Sequence, residues 1–262
     1  MHVLVTNDDG IGSPGLTALA RAVVDAGHDV LVAAPDNDLS GSSAAIGGMH
    51  ADESIDVEPS DLPGLAGVPA FAVAAPPALI VIAARLGAFG PAPDLVVSGI
   101  NPGPNTGRSV LHSGTVGAAL TAANLGISGL AVSVDVGQPL RWRTAAVLAG
   151  AALEWLAGQP DGTVLNLNVP DRSLDEVRGL RWAPLAQFGT VRAALVESPG
   201  GNLQMELSGD DDAEGADGIA PDSDTSLVRA GFATLTVLEG VRGVEGEGAV
   251  EVVEQSLLRR SA

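Results

Sequence analysis

An apolar run, Val3-Leu4-Val5-Thr6, leads directly into Asn7-Asp8-Asp9-Gly10. If the run is a buried strand, Asp8 and Asp9 stand together at its carboxyl end, the edge of an open parallel sheet where ligands bind. Adjacent carboxylates in such a place repel each other unless a cation lies between them or one is protonated. A divalent metal ion satisfies both charges at once. The alternative is an ordinary Asn-Asp-Asp-Gly turn, because Asn, Asp and Gly dominate turns for local reasons.

Three further loops follow apolar runs in the same way. Ala34-Pro35-Asp36-Asn37-Asp38-Leu39-Ser40-Gly41-Ser42-Ser43 offers hydroxyls that suit a neutral metal ligand, a phosphate contact or simply a turn. In Val97-Ser98-Gly99-Ile100-Asn101-Pro102-Gly103-Pro104-Asn105, glycine and proline force a defined irregular path. Asn101, just past the predicted strand, carries an amide oxygen suited to a hard cation. His112-Ser113-Gly114-Thr115 opens a predicted helix, where N–H groups and the positive dipole end attract an anion. A plain N-cap at Ser113 is the competing reading.

Oxygen ligands for one divalent ion beside an anion site are the equipment for phosphate-ester hydrolysis, in which the ion polarises the phosphoryl oxygen and activates water. Direct attack by Asp8 or Asp9 is the alternative route. Aspartate-nucleophile enzymes of that kind usually show Asp-x-Asp-x-Thr, and Asp8-Asp9-Gly10-Ile11-Gly12 does not match it.

The elements that must carry these loops alternate. Strands are predicted at 3–6, 30–34, 70–74, 95–98, 130–134 and 164–169. Helices are predicted at 14–26, 76–86, 114–125 and 144–157. Strands alternating with helices define an α/β fold with a Rossmann-like, doubly wound, mostly parallel sheet. Beyond residue 170 the pattern changes. Val191–Glu197 and Leu203–Leu207 flank Ser198-Pro199-Gly200-Gly201-Asn202 as a β-hairpin, Phe232–Leu238 reads as a strand and Val250–Arg260 as a closing helix. The acidic run Gly209–Gly215 lacks the ligand alternation of a calcium loop and reads as solvated. The expected organisation is a catalytic core over 1–170 and a hairpin-bearing extension over 171–262 used for self-association.

Composition narrows the field. The 262-residue chain has a net charge of −19, no lysine, no tyrosine and no cysteine. Long nucleic acids draw their affinity from basic side chains on phosphates, so they are excluded as partners. Without cysteine there is no thiolate metal site or thiol nucleophile, and any metal takes oxygen or imidazole ligands. No apolar stretch reads as a membrane span, and Met1 precedes strand-like sequence rather than a basic, then apolar leader. The expected location is cytoplasmic.

Taken together, Asn7-Asp8-Asp9-Gly10 with Pro14-Gly15, Ala34-Pro35-Asp36 with Ser40-Gly41, Ser98-Gly99-Ile100-Asn101 with Gly103 and Asn105, and Ser113-Gly114-Thr115-Val116 closely resemble the SurE family. Leu165–Pro170, Ser223-Asp224 and Ala230–Thr236 resemble its later segments, so the resemblance covers nearly the whole chain. It implies a metal-dependent 5′/3′-nucleotidase with one divalent ion, Mg2+ or Mn2+, acting as a homodimer or homotetramer on a small phosphomonoester. Carried over by position, the metal ligands are Asp8, Asp9, Ser40 and Asn101, with Asp8 and Asp9 catalytic. Asn101, Asn105, Ser113, Gly114 and Thr115 lie at the substrate phosphate.

Departures from the family pattern cluster around the same pocket. Asn37 stands where a basic residue is common. Ala74–Leu79 replaces a segment with a hydroxyl and a carboxylate, and Arg108–His112 replaces acidic residues and a tyrosine. A phosphatase for another small ester, or a non-catalytic relic of the fold, are the rival readings. His112, beside the anion site, is either a proton donor to the leaving group or a polar rim residue.

Overall fold

The computed structural model describes residues 1–47, 54–187, 191–197, 203–209 and 219–243. The first half alternates β1 (His2–Thr6), α1 (Pro14–Asp25), β2 (Asp29–Pro35), β3 (Val57–Pro59), β4 (Ala70–Val73), α2 (Pro77–Arg85) and β5 (Leu95–Pro102). A 3-10 helix (Gly107–His112) then leads into α3 (Gly114–Asn124), β6 (Ser128–Val134), α4 (Trp142–Leu156) and β7 (Val164–Val169). Beyond these come β8 (Leu180–Trp182), the antiparallel pair β9 (Val191–Glu197) and β10 (Leu203–Gly209), α5 (Asp224–Arg229) and β11 (Ala233–Leu238).

Nine strands form one sheet in the order β3-β4-β2-β1-β5-β6-β7-β11-β8. The strands from β4 to β7 are parallel, while β3 and β11 run against their neighbours β4 and β7. The chain moves outward from β1 through β2 to β4, then returns to β5 on the other side of β1. The switch point of the sheet therefore lies between β1 and β5, and a crevice opens at their carboxyl ends. Asp8 and Asp9 leave β1 there.

The central strands are apolar at nearly every position because helices cover both faces. Val3, Val5, Val97, Leu130, Val132, Leu165 and Leu167 pack with Leu16, Leu19 and Val23 of α1 and Leu153 and Leu156 of α4. The opposite face sets Leu4, Leu31 and Val96 against Ile80 and Val81 of α2 and Ala118 and Ala122 of α3.

The α/β reading and the strand–helix alternation match the structure, and the hairpin is present at β9 and β10. Four elements escaped the sequence reading: β3, the 3-10 helix, β8 and α5. Each is six residues or fewer, too short to show a period. Strand β5 also runs four residues further than predicted, to Pro102, so Asn101 lies within it and not beyond it. The sheet takes in β8 and β11 from beyond residue 170. The predicted helix at 250–260 and most of the acidic run at 209–215 lie outside the described residues.

Gly15 shows how closely α1 is seated. A Cβ there would lie 2.1 Å from the Ile100 carbonyl oxygen and 2.9 Å from the Trp142 ring. Gly15→Ala is therefore expected to destabilise the protein by about 2 kcal/mol, lowering the thermal midpoint by roughly 4–8 °C. An unchanged midpoint would mean that α1 can move away without loss.

Candidate active site

The loop after β1 is shaped by Asn7. Its Oδ1 accepts the Gly10 amide (3.2 Å) and its Nδ2 donates to the Gly10 carbonyl (3.1 Å), closing a tight turn around Asp8 and Asp9. Gly10 sits at φ +98°, in the left-handed region that glycine adopts without a Cβ penalty. The loop after β2 locks onto this turn. Ile11 donates its amide to Pro35 and Leu39 donates its amide to the Asp8 carbonyl, both at 2.8 Å.

Asp8 points into the amino end of α3. It is 2% exposed, and its Oδ1 accepts the Thr115 hydroxyl at 2.5 Å. Burial raises its pKa, while the Thr115 hydroxyl and the Gly114 and Thr115 amides pull it back down. A Cβ on Gly114 would fall 2.7 Å from Asp8 Oδ2 and 2.6 Å from Ser42 Oγ. Glycine is required because carboxylate and hydroxyl press on its backbone together. One turn on, a Cβ at Gly117 would meet the Ser43 carbonyl at 2.2 Å. The loop after β2 is thus wedged between the carboxylates and α3.

Asp9 is half-buried, and its Oδ2 is sealed from solvent with no hydrogen-bond partner. Its pKa is pushed up to about 7, first by burial and then by the charges of Asp8 and Asp38. Asp38 itself is held below the ordinary carboxylate range by the Ser40 hydroxyl (2.6 Å) and the Ser40 amide (2.8 Å). Because Ser40 donates its proton to Asp38, its oxygen lone pairs remain to act as a ligand. The amide of Asn101 is oriented by donation from Nδ2 to the Gly103 carbonyl (2.6 Å). A register shift in the β5–β6 ladder between Ser98 and Asn101 re-aims the end of β5.

Asp8, Asp9, Ser40, Gly114 and Thr115 are therefore drawn together, and Asn101 ends the neighbouring strand at the same switch point. Two other predicted residues already hold structural duties. Ser113 Oγ accepts the Val116 amide (3.1 Å) as the N-cap of α3, leaving its own proton to donate. Asn105 is pinned to the sheet: its Nδ2 donates to Ser133 Oγ (2.8 Å), and its carbonyl accepts from Asn166 (2.8 Å) and Asn168 (2.9 Å). Thr115, expected at the phosphate, directs its hydroxyl to Asp8. His112 is exposed at the end of the 3-10 helix. Sequence reasoning gave Asn7 and Asp38 no role and included Ser42 only among the hydroxyls of its loop. Their only signal was proximity to the motifs, since turn chemistry and a buried hydroxyl leave no period.

The residues fit a hard divalent cation. Among the described residues no three His, Cys, Asp or Glu side chains cluster as ligands. What the site presents is a mixed oxygen set, with an orphaned carboxylate oxygen on Asp9 and an orphaned hydroxyl on Ser42. Oxygen donors around mutually repelling carboxylates match magnesium- or manganese-type ions.

A carboxylate pair at the switch point of a doubly wound sheet, backed by a helix amino terminus, defines an α/β protein with an acidic, oxygen-lined ligand crevice. The particular family follows from comparison with known proteins. The family profile described as Survival protein SurE matches residues 3–191, and the chain belongs to the SurE family. Proteins named 5′/3′-nucleotidase SurE are similar along most of their length. That of Photorhabdus laumondii is 35% identical over 248 residues, covering 91% of this chain and 90% of its own. Those of Citrobacter koseri and Serratia proteamaculans are each 34% identical at the same coverage. The crystal structure of the SurE protein from Aquifex aeolicus superposes with a TM-score of 0.72 at 25% identity, covering 99% of this chain and all of that one.

Two predictions follow from the carboxylates. The folded pKa of Asp9, about 7, exceeds its unfolded value, so the folded, metal-free protein holds that proton more tightly. Its contribution to stability is full below pH about 4 and is lost as pH rises through about 7. With chelator present, the urea midpoint should fall across this range in the parent and fall less steeply in Asp9→Asn; parallel curves would remove Asp9 as the source. Thr115→Val deletes the hydroxyl that orients Asp8 and should weaken Mn2+ binding about 10-fold or more by calorimetry. Metal affinity equal to the parent's would return Thr115 to the substrate side.

Proposed function

We propose that this protein is a metal-dependent phosphomonoesterase that hydrolyses nucleoside 5′- or 3′-monophosphates to nucleoside and phosphate. The observation that carries this reading is the mutually repelling Asp8–Asp9 pair, with Asp8 buried against the amino end of α3, in a chain whose relatives are named 5′/3′-nucleotidase. Asp8, Asp9, Ser40 and Asn101 would hold one divalent ion, Mg2+ or Mn2+. That ion supplies Lewis acidity toward a phosphoryl oxygen and lowers the pKa of water.

The protein's own groups set the stage for in-line displacement. The Thr115 hydroxyl and the α3 amides keep Asp8 oriented as an oxygen donor. The Ser113 hydroxyl proton and the Asn101 amide are donors available to a phosphoryl oxygen near the same edge. In the reaction, water oxygen bonds to phosphorus, the phosphorus–ribose oxygen bond breaks, and the ribose oxygen takes up a proton. With no cysteine in the chain, and without the Asp-x-Asp-x-Thr pattern, attack by water is favoured over a covalent intermediate.

A second reading, another small phosphate ester as substrate, is favoured by one feature. The segment 74–79, polar in the family pattern, is apolar here, with Ala75 and Leu79 buried in the core between α2 and the sheet. The proposal extends to a cytoplasmic homodimer or homotetramer in which residues 171–262 mediate self-association. No helix among the described residues is long and apolar enough to cross a membrane.

The test is phosphate release from nucleoside monophosphates, sugar phosphates and an aryl phosphate, with chelator and then with Mg2+ or Mn2+ restored. Metal-restored release favouring nucleotides is expected. Release confined to other esters would redirect the specificity, and no release with either metal would overturn the enzyme reading.

A further inference from the structure

The substrate side of the site is tied down by a carboxylate from far along the chain. Asp224, the first residue of α5, is fully buried at 0% exposure. Its Oδ2 accepts the Gly107 amide at 2.8 Å, across 117 residues of sequence. Its Oδ1 accepts the amides of Ala186 (2.9 Å) and Thr225 (2.8 Å). Beside it, Thr225 Oγ1 donates to Thr106 Oγ1 at 3.0 Å, and Thr106 is also fully buried. One carboxylate thus holds three backbone segments in register.

The segment it grips leads into the site. Gly107 begins the 3-10 helix, which carries Arg108 and His112 and runs into Ser113, the N-cap of α3. The far end of that helix is tied to the loop after β2, where Ser43 Oγ donates to the Leu111 carbonyl at 2.6 Å. Two residues before the helix, Asn105 is clamped on Ser133, Asn166 and Asn168. Ser133 stands near the carboxyl end of β6 and Asn166 and Asn168 in β7, so the loop runs from the ends of these strands to α3. An apolar side chain in this place would leave the buried amides of Gly107, Ala186 and Thr225 without acceptors. By satisfying them together the carboxylate fixes where Gly107 and the residues after it stand.

We infer that Asp224 is a positioning residue for the substrate-binding loop, acting through the Gly107 amide on residues 107–113. It touches neither substrate nor metal ligands. The inference rests on the phosphomonoesterase reading of the site, and it assigns a catalytic consequence to the C-terminal portion of the chain.

Asp224→Asn is the direct test. The asparagine oxygen can serve the Ala186 and Thr225 amides, but its NH2 group then faces the Gly107 N–H, donor against donor. Thr225→Val, which removes the hydroxyl contacts to Thr106 and to Asp224 Oδ1 but leaves the carboxylate on the Gly107 amide, is the second variant should the first fail to fold. In the variant that folds, hydrogen exchange across 106–113 should accelerate, and kcat/KM for a nucleoside monophosphate should fall about 10-fold or more through a raised KM, less for Thr225→Val. Mn2+ binding should stay within about twofold of the parent, because Gly114 and Thr115, which hold Asp8, belong to α3 beyond the gripped segment, and Asp9, Ser40 and Asn101 stand on the loop after β1, the loop after β2 and β5. Unchanged kcat and KM, or Mn2+ affinity falling in step with turnover, would overturn the inference. If the parent hydrolyses no nucleotide, the functional reading fails separately. Inorganic phosphate binding to the manganese-loaded protein then decides: weaker in the variant supports the positioning role, and equal binding rejects it.

Discussion

The seating of Asp8 on the amino end of α3 is the contact around which the rest of the site is arranged. A carboxylate at 2% exposure has lost its hydration, and the Thr115 hydroxyl with the Gly114 and Thr115 amides replaces it in part. That exchange demands a glycine at 114, because a side chain there would displace either Asp8 or Ser42. It also places the opening of α3 against the turn after β1, although more than a hundred residues separate them. Seen this way, Ser-Gly-Thr is first a socket for a protein carboxylate, and the Ser113 hydroxyl proton remains to donate.

Negative charge accumulates around that socket. Asp9 has an unpartnered oxygen and a pKa near 7, and Asp38 adds its charge while Ser40 keeps it ionised. In a chain of net charge −19, an anionic phosphate ester would meet repulsion at this edge. A divalent cation relieves both problems at once: it pairs the carboxylates and offers the substrate an attractive centre. The need for metal is thus written into the electrostatics of the site as much as into its ligand types.

Beside the charged centre, the loop leading into α3 is held by buried polar side chains. Asn166 and Asn168 stand out from an otherwise apolar β7, and their amides hold Asn105. Asp224 and Thr225 hold the next residues from the opposite direction. Family segments that look unrelated in the sequence, the Asn-Leu-Asn strand and the late Ser-Asp pair, therefore meet on one loop. This gives the polar residues of β7 and α5 a reason to be buried, which packing alone does not.

Much of the fold was legible because periodicity and burial are local properties of a chain. Apolar runs at β1, β2, β5, β6 and β7 announce strands covered on both faces, and Pro14 with Gly27 brackets a helix. The order of loops after those strands placed Asp8, Asp9, Ser40, Asn101 and the Ser113–Thr115 turn at one edge. The sequence by itself determined this alternation, the choice of oxygen ligands and the excess of negative charge. Tertiary structure alone decided how the loops divide their work: that Thr115 serves Asp8, that Asn105 faces the sheet, and that Asp224 reaches Gly107. Short elements such as α5 and the 3-10 helix leave no period, and a hydrogen bond across 117 residues leaves no spacing to read. Which donor meets which acceptor is set by strand order and register, and these exist only once the sheet has formed.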